Sequence, residues 1–159
     1  ERDLLEALEN GHVAGAALDV FEVEPPTENP LVDHPNVIAT PHLGASTEES
    51  EDNCAKMAVK ELRDYLENGN IKNSVNYPDC DMGVRGDNNR ILLLHRNVPN
   101  MIGQFTKILA NDNMNIADLT NKSKGQYAYT MIDVDSPVSD QVAEELSKVE
   151  EVLRVRIIK

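Results

Sequence analysis

These 159 residues contain no tryptophan, two phenylalanines and two cysteines, Cys54 and Cys80. The cysteines stand in no CxxC or other metal-like spacing. That argues against a disulfide framework or a zinc ribbon and fits reduced thiols in a cytoplasmic protein. His34 and His42 lack a third ligand at metal spacing, so no metal is expected. Cations are scarce as well: 15 Lys and Arg stand against 28 Asp and Glu, a net charge of −13. Nucleic acid and anionic membranes both require clustered cations, so neither is expected as a partner. No apolar run approaches the roughly 20 residues that cross a bilayer, and the first residues are not a signal sequence. Two motifs are missing too. Without G-x-G-x-x-G there is no cradle for a dinucleotide phosphate, and without G-x-S-x-G there is no nucleophile elbow. The chain opens without methionine, already in helical rhythm, which reads as a fragment cut from something longer.

The chain is 40% hydrophobic and 27% charged, a composition with enough apolar residues for a core. In "ERDLLEALENG" Leu4, Leu5 and Leu8 share one helical face, and Asn10-Gly11 is a C-terminal stop. "HVAGAALDVF" and "NVIAT" read as buried strands of a parallel α/β sheet, apolar on both faces. Between them, "EVEPPTENPLVDHP" carries four prolines and four acids and reads as a loop. Ser46 with Glu49 reads as a capping box. It opens a helix over 46–67 whose stripe runs through Cys54, Met57, Ala58, Leu62, Tyr65 and Leu66. Asn68-Gly69 ends it, and "SVNYP" reads as extended. "CDMGVRGDNN", with two glycines and no apolar period, reads as a linker.

The remainder alternates strand and helix. "RILLLHR" is predicted as a strand and "PNMIGQFTKILANDN" as a helix with Pro99 at its start. "MNIADLTNKS" and "QYAYTMIDVD" flank Lys124-Gly125 as a hairpin. "SDQVAEELSKV" is a second helix and "VLRVRII" a last strand. The order βαββαβ is a ferredoxin-like unit. About 70 residues give such a unit little spare core, and pairing an edge strand with a second copy would help it.

Candidate chemistry lies near the front. In an open α/β sheet the carboxyl ends of the strands build the ligand crevice. Asp19 ends one predicted strand, and Glu22 and Glu24 follow in the acidic loop. His42 follows the next strand. A carboxylate bonded to one ring nitrogen would orient the imidazole and raise its pKa, leaving the other nitrogen to carry a proton near pH 7. Spacing does not choose between Glu22 and Glu24. The plain alternative is a solvent-facing histidine with no chemical role.

"GAALDVFEVEP" followed by "NVIATPHLGAST" resembles the end of the nucleotide-binding domain of the D-2-hydroxyacid dehydrogenases. The resemblance implies NAD as cofactor, His42 as the acid/base and Glu24 as its partner. It implies Asp19 facing the nicotinamide carboxamide, with His42, Leu43, Gly44 and Ala45 bordering the cofactor. The family's substrate-binding arginine belongs to an A-R-G segment that is absent here, and Arg2 is not its equivalent. The fragment by itself is therefore expected to be inactive.

The last segment resembles an ACT domain, a βαββαβ amino-acid sensor, through "HRNVPNMIGQF" and "NMNIADL". An ACT domain on such a dehydrogenase end resembles the family branch that oxidises 3-phosphoglycerate to 3-phosphohydroxypyruvate, the first step of serine biosynthesis. That implies L-serine as effector, bound where two ACT domains meet, through His95, Asn97 and Asn115. It also implies an ACT–ACT homodimer, as part of a homo-tetramer. One departure stands out: Asn100 occupies the place of the family's usual glycine, where positive φ is expected. The expected organisation is 1–44 as the end of the NAD-binding domain, 45–79 returning to a substrate domain, 80–89 as linker and 90–159 as the regulatory domain. Glycines 83 and 86 would let that linker act as a hinge. Two alternatives stay open: a stand-alone ACT-type amino-acid-binding module, and a dehydrogenase for another D-2-hydroxy acid.

Overall fold

All of residues 1–159 are described by a computed structural model. They form two compact units, Glu1–Lys56 and Met57–Lys159.

In the first unit, helix α1 (Arg2–Glu9) turns its leucine face inward, with Leu8 buried, and stops at Asn10 before Gly11 at φ 74°. Strands β1 (Ala16–Leu18) and β2 (Val37–Ala39) pair in parallel, Ala16 opposite Val37. Gly15 permits that approach, because a Cβ there would lie 2.9 Å from the Asn36 carbonyl oxygen. The strands are shorter than the sequence pattern predicts, and they are not buried on both faces. Ile38 is 70% exposed, since a sheet of two strands has nothing to lay over its second face. The proline-rich loop between them is a loop as predicted, pinned by the buried Leu31.

Helix α2 runs from Glu48 to Asn68. Its cap differs from the predicted Ser46–Glu49 box. The Ser46 N–H is spent on the Leu43 carbonyl in the preceding turn. Thr47 caps instead: its Oγ1 accepts from the Ser50 N–H at 3.2 Å and donates to Ser50 Oγ at 2.8 Å. The expected apolar stripe is exposed, with no α2 residue buried and Met57, Leu62 and Leu66 each more than half exposed.

In the second unit, β3 (Asn89–Arg96), β4 (Ile116–Lys124), β5 (Tyr127–Val134) and β6 (Val152–Ile158) make one antiparallel sheet in the order β4-β5-β3-β6. Helices α3 (Met101–Asn111) and α4 (Asp140–Ser147) complete the βαββαβ order, and this strand order is the ferredoxin-like arrangement. Alternation along the strands sorts two cores. Ile91, Leu93, Ile132 and Val134 meet Met101, Phe105, Leu109, Val142 and Leu146 on the helix side. Leu92, Tyr129 and Met131 point to the opposite side. Helix α3 starts at Met101, later than the Pro99 start predicted, because Asn100 sits at φ 67° and interrupts the helical path.

That opposite side is covered by residues read from sequence as an extended piece and a linker. Ile71 and Cys80 pair through two backbone hydrogen bonds of 2.8 and 2.9 Å, and both are buried. Tyr65, Tyr77 and Met82 pack with them against Leu92, Tyr129 and Met131. Burial pushes the Cys80 thiol up to about 11, which leaves it protonated and inert. Three strands also grip the end of α2. Arg156 donates to the Tyr65 and Leu66 carbonyls, Arg90 to Asn68 O at 2.8 Å, and Tyr129 Oη to Gly69 O at 2.7 Å. A helix end leaves such carbonyls without internal partners, and here side chains from the sheet supply them. Residues 57–89 are thus part of this unit, and the stretch 80–83 is packed rather than a free span.

Candidate active site

The polypeptide leaves β2 through Thr40 and Pro41 and reaches His42 at φ 56°. That left-handed conformation is unfavourable for a residue with a Cβ, and such strain is often held at functional sites. Asp19, just past β1, does the holding. Its Oδ1 accepts from Thr40 Oγ1 at 2.6 Å and from the Leu43 N–H at 2.7 Å, and its Oδ2 accepts from the Gly44 N–H at 2.7 Å. The Thr40 hydroxyl first, then the Leu43 amide, hold the Asp19 carboxyl below its ordinary value. Gly44 fits this grip: a Cβ there would sit 3.2 Å from Asp19 Oδ2.

Glu24 meets the ring. Its Oε2 lies 2.8 Å from His42 Nδ1, while Oε1 accepts from the Phe21 N–H at 3.1 Å. Glu22, the competing carboxylate, lies 3.5 Å from the Glu1 amino group instead. The hydrogen bond to Glu24 raises the His42 pKa above its ordinary 6.5, and the ring in turn lowers Glu24 below 4.5. The signs differ. The imidazolium's contribution is complete below 6.5 and fades as pH rises through the raised value. The carboxylate's is complete above 4.5 and fades as pH falls through the lowered one. The pair is held most firmly between about 4.5 and 6.5. His42 Nε2 has no protein partner, and the side chain is 60% exposed. Asp19, Phe21, Thr40 and His42 line a cleft of 360 Å³.

Sequence reasoning missed Thr40. The signal was its place directly before Pro41 at the strand end, where a hydroxyl can reach the neighbouring strand. Asp19→Asn is expected to put an amide N–H₂ against one backbone N–H. Exchange of the Leu43 or Gly44 amide should then rise roughly tenfold, the loop opening more often, and the His42 pKa should fall. Unchanged exchange and an unchanged ring titration by NMR would show that Asp19 does not hold the loop.

The residues predicted for effector binding are not gathered at one place in the chain. His95 is buried near the end of β3, with Nδ1 2.7 Å from the Arg96 carbonyl oxygen and Nε2 2.9 Å from Thr130 Oγ1. Asn97 Nδ2 donates to Gly125 O at 3.2 Å. Asn115 Nδ2 donates to Asp135 Oδ2 at 3.1 Å. Asn115 precedes Ile116, which pairs with Val134, itself opposite Asn89. Asn89 and His95 are six residues apart on β3, about 20 Å at the usual strand rise. The Asn100 side chain folds back over α3, so that a Cβ on Gly103 would meet its Oδ1 at 2.5 Å.

A parallel strand pair presents an imidazole–carboxylate couple beyond its carboxyl ends, where open α/β sheets take their ligands. Residues 1–44 match the model of the NAD binding domain of the D-isomer specific 2-hydroxyacid dehydrogenases. Over nearly its whole length the chain is similar to D-3-phosphoglycerate dehydrogenases. It is 32% identical to that of Escherichia coli (strain K12) over 98% of this chain and 39% of the relative. It is 60% identical to that of Bacillus subtilis (strain 168) over 49% of this chain and 15% of the relative. The chain spans about two-fifths of the length of the E. coli relative. Among solved structures, the ACT domain of GTP pyrophosphokinase from Chlorobium tepidum matches with a TM-score of 0.39 and 18% identity, over 44% of this chain and 95% of that one.

The matched family's cofactor is NAD. The residues present suit its nicotinamide end: small Gly44 and Ala45 beside the unpartnered face of His42 allow close approach. The phosphate cradle is not among them. No helix is long and apolar enough to cross a membrane.

Proposed function

We propose that this chain is the C-terminal part of an NAD-dependent D-3-phosphoglycerate dehydrogenase, a cytoplasmic enzyme that converts 3-phosphoglycerate to 3-phosphohydroxypyruvate. The observation carrying the proposal is the His42–Glu24 pair, set at a strand end within the matched NAD-binding segment. The nicotinamide supplies a hydride acceptor. His42 Nε2, free of protein partners, takes the proton of the substrate hydroxyl as the C–H bond gives up its hydride. In the reverse direction the same nitrogen returns that proton to the carbonyl oxygen. Glu24 holds the ring through Nδ1 and stabilises the imidazolium that results. Asp19, Leu43, Gly44 and Ala45 border the cofactor in this reading. The fragment alone does not turn over, because the phosphate cradle and the substrate arginine are not in it.

Residues 90–159 serve as an ACT-type sensor for L-serine. The N-terminus of α3 has no side-chain cap, and its free N–H groups suit a carboxylate. With Asn115 about 20 Å along the sheet from His95, one chain does not complete a site of His95, Asn97 and Asn115. β4 is an edge strand, and antiparallel pairing of two β4 edges would bring Asn115 of a second copy to the His95 end; the reading therefore takes a homodimer, within a homo-tetramer of the full protein. The polypeptide passes from the first unit into the second, which holds this sensor, within α2, between Lys56 and Met57.

The full-length protein is expected to reduce NAD with 3-phosphoglycerate, to prefer it over unphosphorylated glycerate, and to slow when L-serine is added. Equal rates with glycerate would favour a dehydrogenase for another 2-hydroxy acid. Activity indifferent to L-serine would remove the sensor assignment.

A further inference from the structure

A polar chain runs through the helix side of the sheet at the sensor's proposed site, and no sequence motif announces it. His95 is 2% exposed, with its ring edge-to-face on Phe105 at 5.2 Å. Its Nε2 is 2.9 Å from Thr130 Oγ1, and that hydroxyl, fully buried, is 2.8 Å from the Asn121 side-chain amide. Asn121 is exposed on β4, an edge strand. A buried imidazole is therefore connected through one hydroxyl to an amide at the surface.

Counting hydrogens tells what that amide presents outward. The Arg96 carbonyl can only accept, so His95 Nδ1 carries a hydrogen. Burial pushes the His95 pKa below its ordinary 6.5, so near pH 7 the ring is neutral and Nε2 is a bare acceptor. Thr130 has one hydroxyl hydrogen, and it goes to Nε2. The Thr130 oxygen must then accept, and the Asn121 amide supplies a hydrogen by a half-turn that exchanges Oδ1 and Nδ2 in place. That half-turn leaves the amide oxygen facing outward. His95 has no hydrogen-bonding position left for a ligand while this chain is intact. The polar surface groups around this chain are then the amides of Asn97 and Asn121, and the uncapped N-terminus of α3 follows Asn97 by four residues. A free amino acid has two charges to satisfy. The helix end suits its carboxylate, and an outward amide oxygen suits its ammonium.

We propose that Asn121 contacts the ligand of the sensor, offering its amide oxygen to the ammonium of a free amino acid, and that Thr130 is the positioning residue that fixes this orientation. The inference rests on the sensor reading above. Calorimetry with L-serine on this chain tests both. Asn121→Leu and Thr130→Val should each weaken binding about tenfold or more, the cost of one lost hydrogen bond to a charged group. Thr130→Ser, which keeps the hydroxyl, should restore affinity to within about threefold. Binding of 3-hydroxypropanoate, which lacks the ammonium, should be the same in parent and Asn121→Leu. Asn121 is exposed in the single chain, so its variant should fold even if Thr130→Val does not, and it tests the inference where sedimentation shows the same assembly as the parent. L-serine binding to Asn121→Leu as tight as to the parent would overturn the inference alone. No L-serine binding to the parent would overturn the sensor reading and the inference with it.

Discussion

His42→Gln in the full-length enzyme is expected to lower kcat for 3-phosphoglycerate oxidation by about 10²–10⁴-fold, the usual worth of a positioned acid/base. Glutamine keeps a polar group near Glu24 but takes no proton from the substrate. Binding of NADH should persist, which separates lost chemistry from a collapsed site. The pH profile gives the sharper test. Oxidation needs the ring neutral, and Glu24 holds its pKa above 6.5, so the acid limb of kcat/KM should lie above 6.5. Glu24→Gln should move that limb down toward 6.5, widening the active range on the acid side while lowering its plateau. A limb that stays put, together with an unshifted His42 titration by NMR, would mean that the 2.8 Å contact does not set the proton's affinity.

Asp133→Ala is expected to destabilise the second unit by about 3–5 kcal/mol, the range for removing one partner of a buried pair. Arg90 is 1% exposed and meets Asp133 through both carboxylate oxygens, at 2.7 and 2.8 Å. The same guanidinium donates to the backbone carbonyls of Asn68, Met82 and Gly83. Without Asp133 a buried cation would keep its neutral acceptors and lose its counter-charge. Arg90→Met should cost in another way: it removes the cation and frees three carbonyls that join α2 and the 82–83 stretch to the sheet. Urea unfolding, read by tyrosine fluorescence because the chain has no tryptophan, checks both. A loss under about 1 kcal/mol for Asp133→Ala would place the pair in the class of exposed ion pairs.

These two sites were unequally visible in the sequence. The motifs around Asp19, Glu24 and His42 named the catalytic candidates, because strand-end chemistry needs particular residue types at short, fixed spacings. Spacing could not separate Glu22 from Glu24, which depends on how the proline loop folds back. It could not show that Asp19 would spend both oxygens on the loop after β2. The Arg90–Asp133 pair was invisible: 43 residues separate its members, and an arginine opening a strand looks like any surface cation. Thr130 and Asn121 were hidden for the same reason, since only the β4–β5 register places them opposite each other.

By itself the sequence determined the order of elements and the type of each, since periodicity, glycines and prolines act within a few residues. It determined the ferredoxin-like order, while the left-handed turn at Asn100 was implied only by the resemblance. Tertiary structure decided what covers what. The pattern of "ILLL" in β3 is compatible with any fully buried strand, and only the fold shows residues 65–82 closing its second side. It likewise decided that Thr47 and not Ser46 caps α2, because a turn from Leu43 to Ser46 had already taken the Ser46 amide. Local signals fix local conformation. Burial and long-range hydrogen bonds are shared between segments far apart in the chain, and they exist only once those segments have met.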